Sequence, residues 1–155
     1  MNQLLIIYFS ETGNTKRMAA DIAYGAQAAG VNVTVKEIAT CALHELVDAD
    51  GIVVGSPTYF SNVAWQIKKL IDESIALYRR NHQLRGKVGG CFTSAGTRRD
   101  GEDCRRMLDL AFGRHHQLQM VPGIMRVSGD AVDDVSTMCR DYGARVAKNL
   151  LSQEP

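Results

Sequence analysis

The sequence predicts a doubly wound α/β fold on a five-stranded parallel sheet, and three observations lead there. Short apolar runs alternate with amphipathic stretches from one end of the chain to the other. Most of these runs are apolar at nearly every position, as strands covered by helices on both faces must be. No linker, repeat or low-complexity segment interrupts them, so the 155 residues are expected to form one domain spanning 1–155. Right-handed crossovers leave 2-1-3-4-5 as the natural strand order, with any ligand lying beyond the carboxyl ends of strands 1, 3 and 4.

Taken in order, the first strand is the apolar run from Leu4 to Ser10, and a helix follows from Asn14 to Ala29. The second strand, Val31 to Glu37, alternates apolar and polar residues and so belongs at a sheet edge. A short helix is expected near Leu43 to Val47, the third strand from Gly51 to Ser56, and a helix from Asn62 to Leu77. The fourth strand runs from Val88 to Ser94 and its helix from Gly101 to Arg114. Leu118 to Val121 makes the fifth strand, Ile124 to Asp133 a short connection, and Asp133 to Leu151 the closing helix.

Composition narrows the function classes. With 45% hydrophobic and 23% charged residues the sequence reads as an ordinary soluble globular protein. No apolar run reaches the roughly 18 residues of a membrane span, and Met1 leads directly into strand residues without a signal-peptide pattern, so the expected location is cytoplasmic. The four cysteines are widely spaced with no Cys-x-x-Cys pair, which points to neither a metal site nor a dithiol motif. Acidic residues outnumber basic ones over 1–77 and the balance reverses over 78–155, but the net charge of +1 disfavours nucleic acid as a partner.

The turn after the first strand, Ser10-Glu11-Thr12-Gly13-Asn14-Thr15, opens a helix with one glycine and several short hydroxyls. Two uses fit such a turn: capping the helix, and cradling an anion on free backbone N–H groups at the positive end of the helix dipole. It has neither the lysine of a triphosphate loop nor the three glycines of a dinucleotide fingerprint, so a cradle of this kind suits a terminal monophosphate. The loops after the third and fourth strands are also distinctive. One is Pro57-Thr58-Tyr59-Phe60-Ser61-Asn62, stiffened by Pro57 and offering Tyr59 and Phe60 as flat apolar surface; the other is Thr93-Ser94-Ala95-Gly96-Thr97, followed by Arg98-Arg99-Asp100-Gly101.

These three loops resemble those of the flavodoxin-like FMN proteins. The first resembles a flavodoxin phosphate loop. The other two, with Gln66, Asp72, Gly86-Lys87, His115-His116 and Val121-Pro122, are similar to the tryptophan-repressor-binding-protein type of NAD(P)H:quinone oxidoreductase. The resemblance implies a flavodoxin-like fold and FMN as cofactor. Ser10 to Thr15 would hold its phosphate, Pro57, Thr58, Tyr59, Phe60, Asn62, Thr93 to Thr97 and Gly101 would surround its ring, and His115 would lie nearby. Adjacent histidines at a helix end also serve to cap carbonyls. Differences from that type are Thr12 in place of an aromatic residue, Tyr59 in place of an arginine, and Arg98-Arg99-Asp100 in place of glycines.

The implied activity is ping-pong transfer of two electrons from NADPH or NADH to a quinone-like acceptor. Tyr59, Phe60 and Tyr78 would form an apolar platform, and Arg98 or Arg99 would either meet a nucleotide phosphate or simply face water. Positive charge beside the ring favours the reduced anion, so a less negative two-electron potential is expected. A one-electron carrier between redox protein partners and a non-enzymatic flavin-binding regulatory module are the alternatives. Trp65 either offers a patch for a homo-oligomer or packs on the sheet.

Overall fold

The computed structural model describes residues 2–153; Met1, Glu154 and Pro155, which the single-domain expectation also covers, lie outside them. One sheet carries the architecture. β1 (Gln3–Tyr8) lies between β2 (Asn32–Glu37) and β3 (Gly51–Tyr59), and β3 pairs in turn with β5 (Val88–Ala95), all in parallel. β2 is at the edge, as its alternating sequence predicts. Side-chain alternation along each strand divides the core in two. Leu4, Ile6, Val53, Val88 and Phe92 meet α1 (Asn14–Ala28) and α6 (Val132–Leu151) on one face. Leu5, Ile7, Ile52, Val54 and Cys91 meet α2 (Leu43–Asp48), α3 (Trp65–Glu73), α4 (Ile75–Arg79) and α5 (Arg98–Leu108) on the other.

α1 and α6 approach unusually closely. A Cβ built on Gly143 would lie 1.9 Å from the Ile22 carbonyl oxygen, and one on Gly25 would lie 1.9 Å from that of Arg140. Only glycine at both positions permits this crossing.

Three expected elements are corrected. The chain from Asn62 to Leu77 is not one helix: Asn62–Val63 forms β4, which folds back antiparallel on Thr58 and Tyr59, and the helix that follows breaks between α3 and α4 at Ser74. The fifth strand is in two pieces. β6 (Gln119–Met120) pairs with Val88 and Gly89, whereas β7 (Ile124–Val127), expected as a connection, pairs with Phe92 to Ala95. Pro122, which has no N–H to give a ladder, lies at the break. The Tyr142 hydroxyl fills that break, accepting from Cys91 N–H and donating to the Val121 carbonyl, each at 3.0 Å. Finally, α5 starts at Arg98 rather than Gly101 and continues as a π-helical segment, Asp109–His115.

Among the described residues no helix is long and apolar enough to cross a membrane, and no cluster of His, Cys, Asp or Glu is arranged to hold a metal.

Candidate functional site

Three turns meet at the carboxyl ends of β1, β3 and β5. In the first, Gly13 takes the left-handed conformation (φ 97°) as the residue before α1, and Ser10 Oγ accepts from its N–H at 3.1 Å. The helical ladder begins only at Arg17 N–H to Gly13 C=O (3.0 Å), so the amides of Asn14, Thr15 and Lys16 have no helical acceptor. No side chain caps this end and no acidic residue lies in its first turn. Asn14 is held locally, its Oδ1 accepting from Arg17 and its Nδ2 donating to Thr12 Oγ1. Thr15 is buried, and its hydroxyl lies 3.0 Å from that of Ser94 on β5, which ties the first turn to the third.

The second turn reverses the chain between β3 and β4. Phe60 and Ser61 both have positive φ, 49° and 63°, which glycine and asparagine take more readily. The Phe60 side chain is fully exposed at the tip. Beneath it, Ser56 Oγ accepts from Ala64 N–H (2.9 Å) and donates to the Pro57 carbonyl (2.8 Å), fixing the base of the hairpin. Tyr59 reaches across to the first turn and donates to the Glu11 carboxylate. Burial, and then that carboxylate, push the Tyr59 phenol up to about 12, so it remains a donor through the physiological range.

In the third turn Gly96 is exposed, with open space where a Cβ would stand. Thr97 caps α5 by accepting from Asp100 N–H (3.2 Å) and donates to Asp100 Oδ2 (2.8 Å), while Ser61 Oγ donates to Asp100 Oδ1 at 2.7 Å. These two hydroxyls, Ser61 first, hold the Asp100 carboxyl below its ordinary range. Arg98 and Arg99 are exposed and take part in none of the ion pairs found among the described residues.

The structure thus brings Ser10 to Thr15, Pro57 to Phe60 and Thr93 to Thr97 to one rim. Asn62 follows directly in the hairpin, paired with Tyr59, and the packing of Gly101, Tyr78 and His115 places those three. Gly101 is buried, and a Cβ there would lie 2.4 Å from Met125 Sδ and 2.9 Å from Ala95 Cβ, so its small size serves helix-on-sheet packing. Tyr78 and His115 line a cleft of about 560 Å³ between α3/α4 and the end of α5 with its π-helical continuation, to which Asn62 and Val63 of the hairpin also contribute. Tyr78 packs on His82 and His116 there rather than beside Tyr59 and Phe60. His116 is buried with Nε2 2.8 Å from Ser74 Oγ. Ser74 spends its hydrogen on the Ile71 carbonyl, so Nε2 carries the imidazole proton. Burial, with His115 and His82 nearby, lowers the His116 pKa. Trp65 is exposed at the start of α3.

Ser61 and Asp100 were absent from the residues expected at the site. Thr97-x-x-Asp100, a hydroxyl followed three residues later by an acid, is a helix-start pattern that marks Asp100 in the sequence.

Residues 36–132 match the family described as NADPH-dependent FMN reductase. The chain belongs to this family. Over 129 residues it is 37% identical to a flavodoxin from Clostridium saccharobutylicum, covering 82% of this chain and 73% of that one. It is also 36% identical over 125 residues to NAD(P)H dehydrogenase (quinone) 3 from Rhizobium meliloti (strain 1021), covering 66% of this chain and 58% of the relative. Matches to that enzyme and to the NAD(P)H dehydrogenase (quinone) of Paracoccus denitrificans (strain Pd 1222) span 58% and 59% of those relatives. Among solved structures, the flavodoxin, WrbA-like protein from Agrobacterium tumefaciens superposes with a TM-score of 0.80 at 29% identity, covering 99% of this chain and 100% of the other. A flavodoxin from the domain Archaea gives 0.81 at 27%, covering 96% and 99%. The fold of the family member described here is therefore flavodoxin-like.

Proposed function

We propose that this chain is an FMN-binding oxidoreductase that moves two electrons from NADPH or NADH to a quinone-like acceptor. The observation that carries the reading is the uncapped start of α1 at the rim. Three amides without helical acceptors, the dipole's positive end and the Ser10 and Thr12 hydroxyls suit a phosphate monoester, and no acid in the first helical turn opposes it. Gly13 has nothing within 4 Å of a would-be Cβ, leaving room for such an anion to approach the backbone. Tyr59, the fully exposed Phe60 and the open Gly96 suit the planar ring of the same molecule.

FMN, when bound, supplies the electron-accepting and electron-donating chemistry. The chain's residues bind and orient it: Ser10 to Thr15 at the phosphate, Pro57 to Phe60 and Thr93 to Thr97 around the ring. Arg98 and Arg99, exposed beside the third turn, supply positive charge for a nucleotide phosphate. Family membership and the quinone-dehydrogenase relatives support the two-electron reading.

Titrating FMN with the apoprotein tests the first half, with quenching of flavin fluorescence at micromolar concentrations expected. Anaerobic addition of NADPH or NADH, followed by benzoquinone, tests the second half; bleaching and then recovery of the flavin absorbance is expected. Similarity to the clostridial flavodoxin favours a second reading, a one-electron carrier, for which FMN would bind but neither nucleotide would bleach it.

A further inference from the structure

We infer that Asp100 is a positioning residue for the flavin ring, its carboxylate clasping the Phe60–Ser61 turn to the start of α5. The inference rests on the FMN reading above. Asp100 is not needed to touch the ring; what it touches are the two turns that flank it. One carboxylate oxygen accepts from Ser61 on the second turn and the other from Thr97 on the third, while its backbone N–H uses the Thr97 hydroxyl as a cap.

The clasp is matched to a strained element. Two successive non-glycine residues with positive φ form the tip of a hairpin whose second strand is only Asn62–Val63. A conformation of that kind persists when its surroundings over-determine it. The base of the hairpin is fixed by Ser56, its closing pair is Tyr59 and Asn62, and Tyr59 is fixed by Glu11; among the described residues the side-chain hydrogen bond at the tip itself is that of Ser61, since Phe60 is fully exposed. Hydrogen bonds to a carboxylate are short and strong compared with neutral ones, which suits the task. Without the clasp the tip gains other conformations, and ordering it again is charged to FMN binding.

The test compares Ser61→Ala, Asp100→Ala, Asp100→Asn and the Ser61→Ala/Asp100→Ala double variant. FMN dissociation constants and off-rates are read by fluorescence, and hydrogen exchange across residues 59–63 is read on the apoprotein. Ser61→Ala and Asp100→Ala are each expected to raise the FMN dissociation constant about tenfold, in keeping with loss of a charge-assisted hydrogen bond, and to speed exchange at the hairpin. The double variant should be no worse than Asp100→Ala. Asp100→Asn, whose one amide oxygen still accepts from Ser61 but without the charge, should recover part of the affinity and fall between wild type and Asp100→Ala. Wild-type affinity and exchange in Ser61→Ala would overturn the inference, because the turn would then hold without its bond to Asp100, as would an Asp100→Asn as weak as Asp100→Ala, because the acceptor kept for Ser61 would then count for nothing. Should Asp100→Ala fail to fold, Ser61→Ala decides alone. Should the wild-type protein not bind FMN, the functional reading fails, while apoprotein exchange still decides whether the clasp holds the turn.

Discussion

Replacing Tyr142 by Phe tests the account of the broken fifth strand. The Tyr142 ring is fully buried, and its hydroxyl serves Cys91 N–H and the Val121 carbonyl at the one place where β5 has neither β6 nor β7 beside it. Phenylalanine keeps the ring and removes both hydrogen bonds, so two backbone groups in the core lose their partner. An unmade buried hydrogen bond costs about 1–3 kcal/mol, and some relaxation of the strand break is expected, which gives a loss of about 2–4 kcal/mol. For a chain of this size that corresponds to a fall in Tm of about 5–15 °C. Urea unfolding followed by circular dichroism measures it, with an unchanged m-value if the denatured state is unaffected. Tyr24→Phe is the control: Tyr24 is exposed and lies under the Arg140 guanidinium, so its change should be nearly neutral. A loss below about 0.5 kcal/mol in Tyr142→Phe would refute the claim that the phenol satisfies the break.

Three further outcomes are expected. Gly143→Ala puts a methyl group against the Ile22 carbonyl and forces α1 and α6 apart, costing about 2–3 kcal/mol in thermal or urea unfolding. Gly13→Ala meets no atom within 4 Å but strains a left-handed residue, so stability should fall by about 1–2 kcal/mol and FMN affinity should weaken, as measured by melting and fluorescence titration. His116 has a lowered pKa in the fold, so the unfolded chain takes up its proton first. Its contribution to stability is complete above the ordinary histidine value of about 6.5 and is lost as pH falls from there toward the folded value. The groups around it are His115, His82 and Tyr78, with Asp72 and Lys68 farther along the cleft. Urea midpoints measured from pH 7.5 to 5 should therefore decline, and His116→Asn should flatten that decline; an unchanged slope would remove His116 as its source.

Most of the scaffold was legible because it rests on burial. Strands apolar at every position, such as Leu4 to Tyr8 and Gly51 to Val54, lie inside the sheet, and the alternating Val31 to Glu37 lies at its edge. Pattern reading failed where pairing rather than burial decides. Asn62–Val63 is a strand because it folds back on Thr58 and Tyr59, and Phe60-Ser61 lacks the Asn-Gly signature that announces such a reversal. Ile124–Val127 is only partly buried beyond its first residue and follows a Pro-Gly pair, so it reads as a connection. The rim followed from loop composition and the placement rule for open α/β sheets. Tyr78 and His115 line a cleft that Asn62 and Val63 of the hairpin also line, and that grouping depends on the lengths of α3, α4 and α5, which short motifs do not encode.

The divided last strand also bears on how the molecule meets its own kind. An intact outer strand would present an unbroken row of unsatisfied peptide groups, a template on which another polypeptide can polymerise. Here that row is cut at Pro122 into pieces of two and four residues, too short to seed fibrous growth. At the opposite border β2 carries the charged Lys36 and Glu37, which discourage stacking there as well.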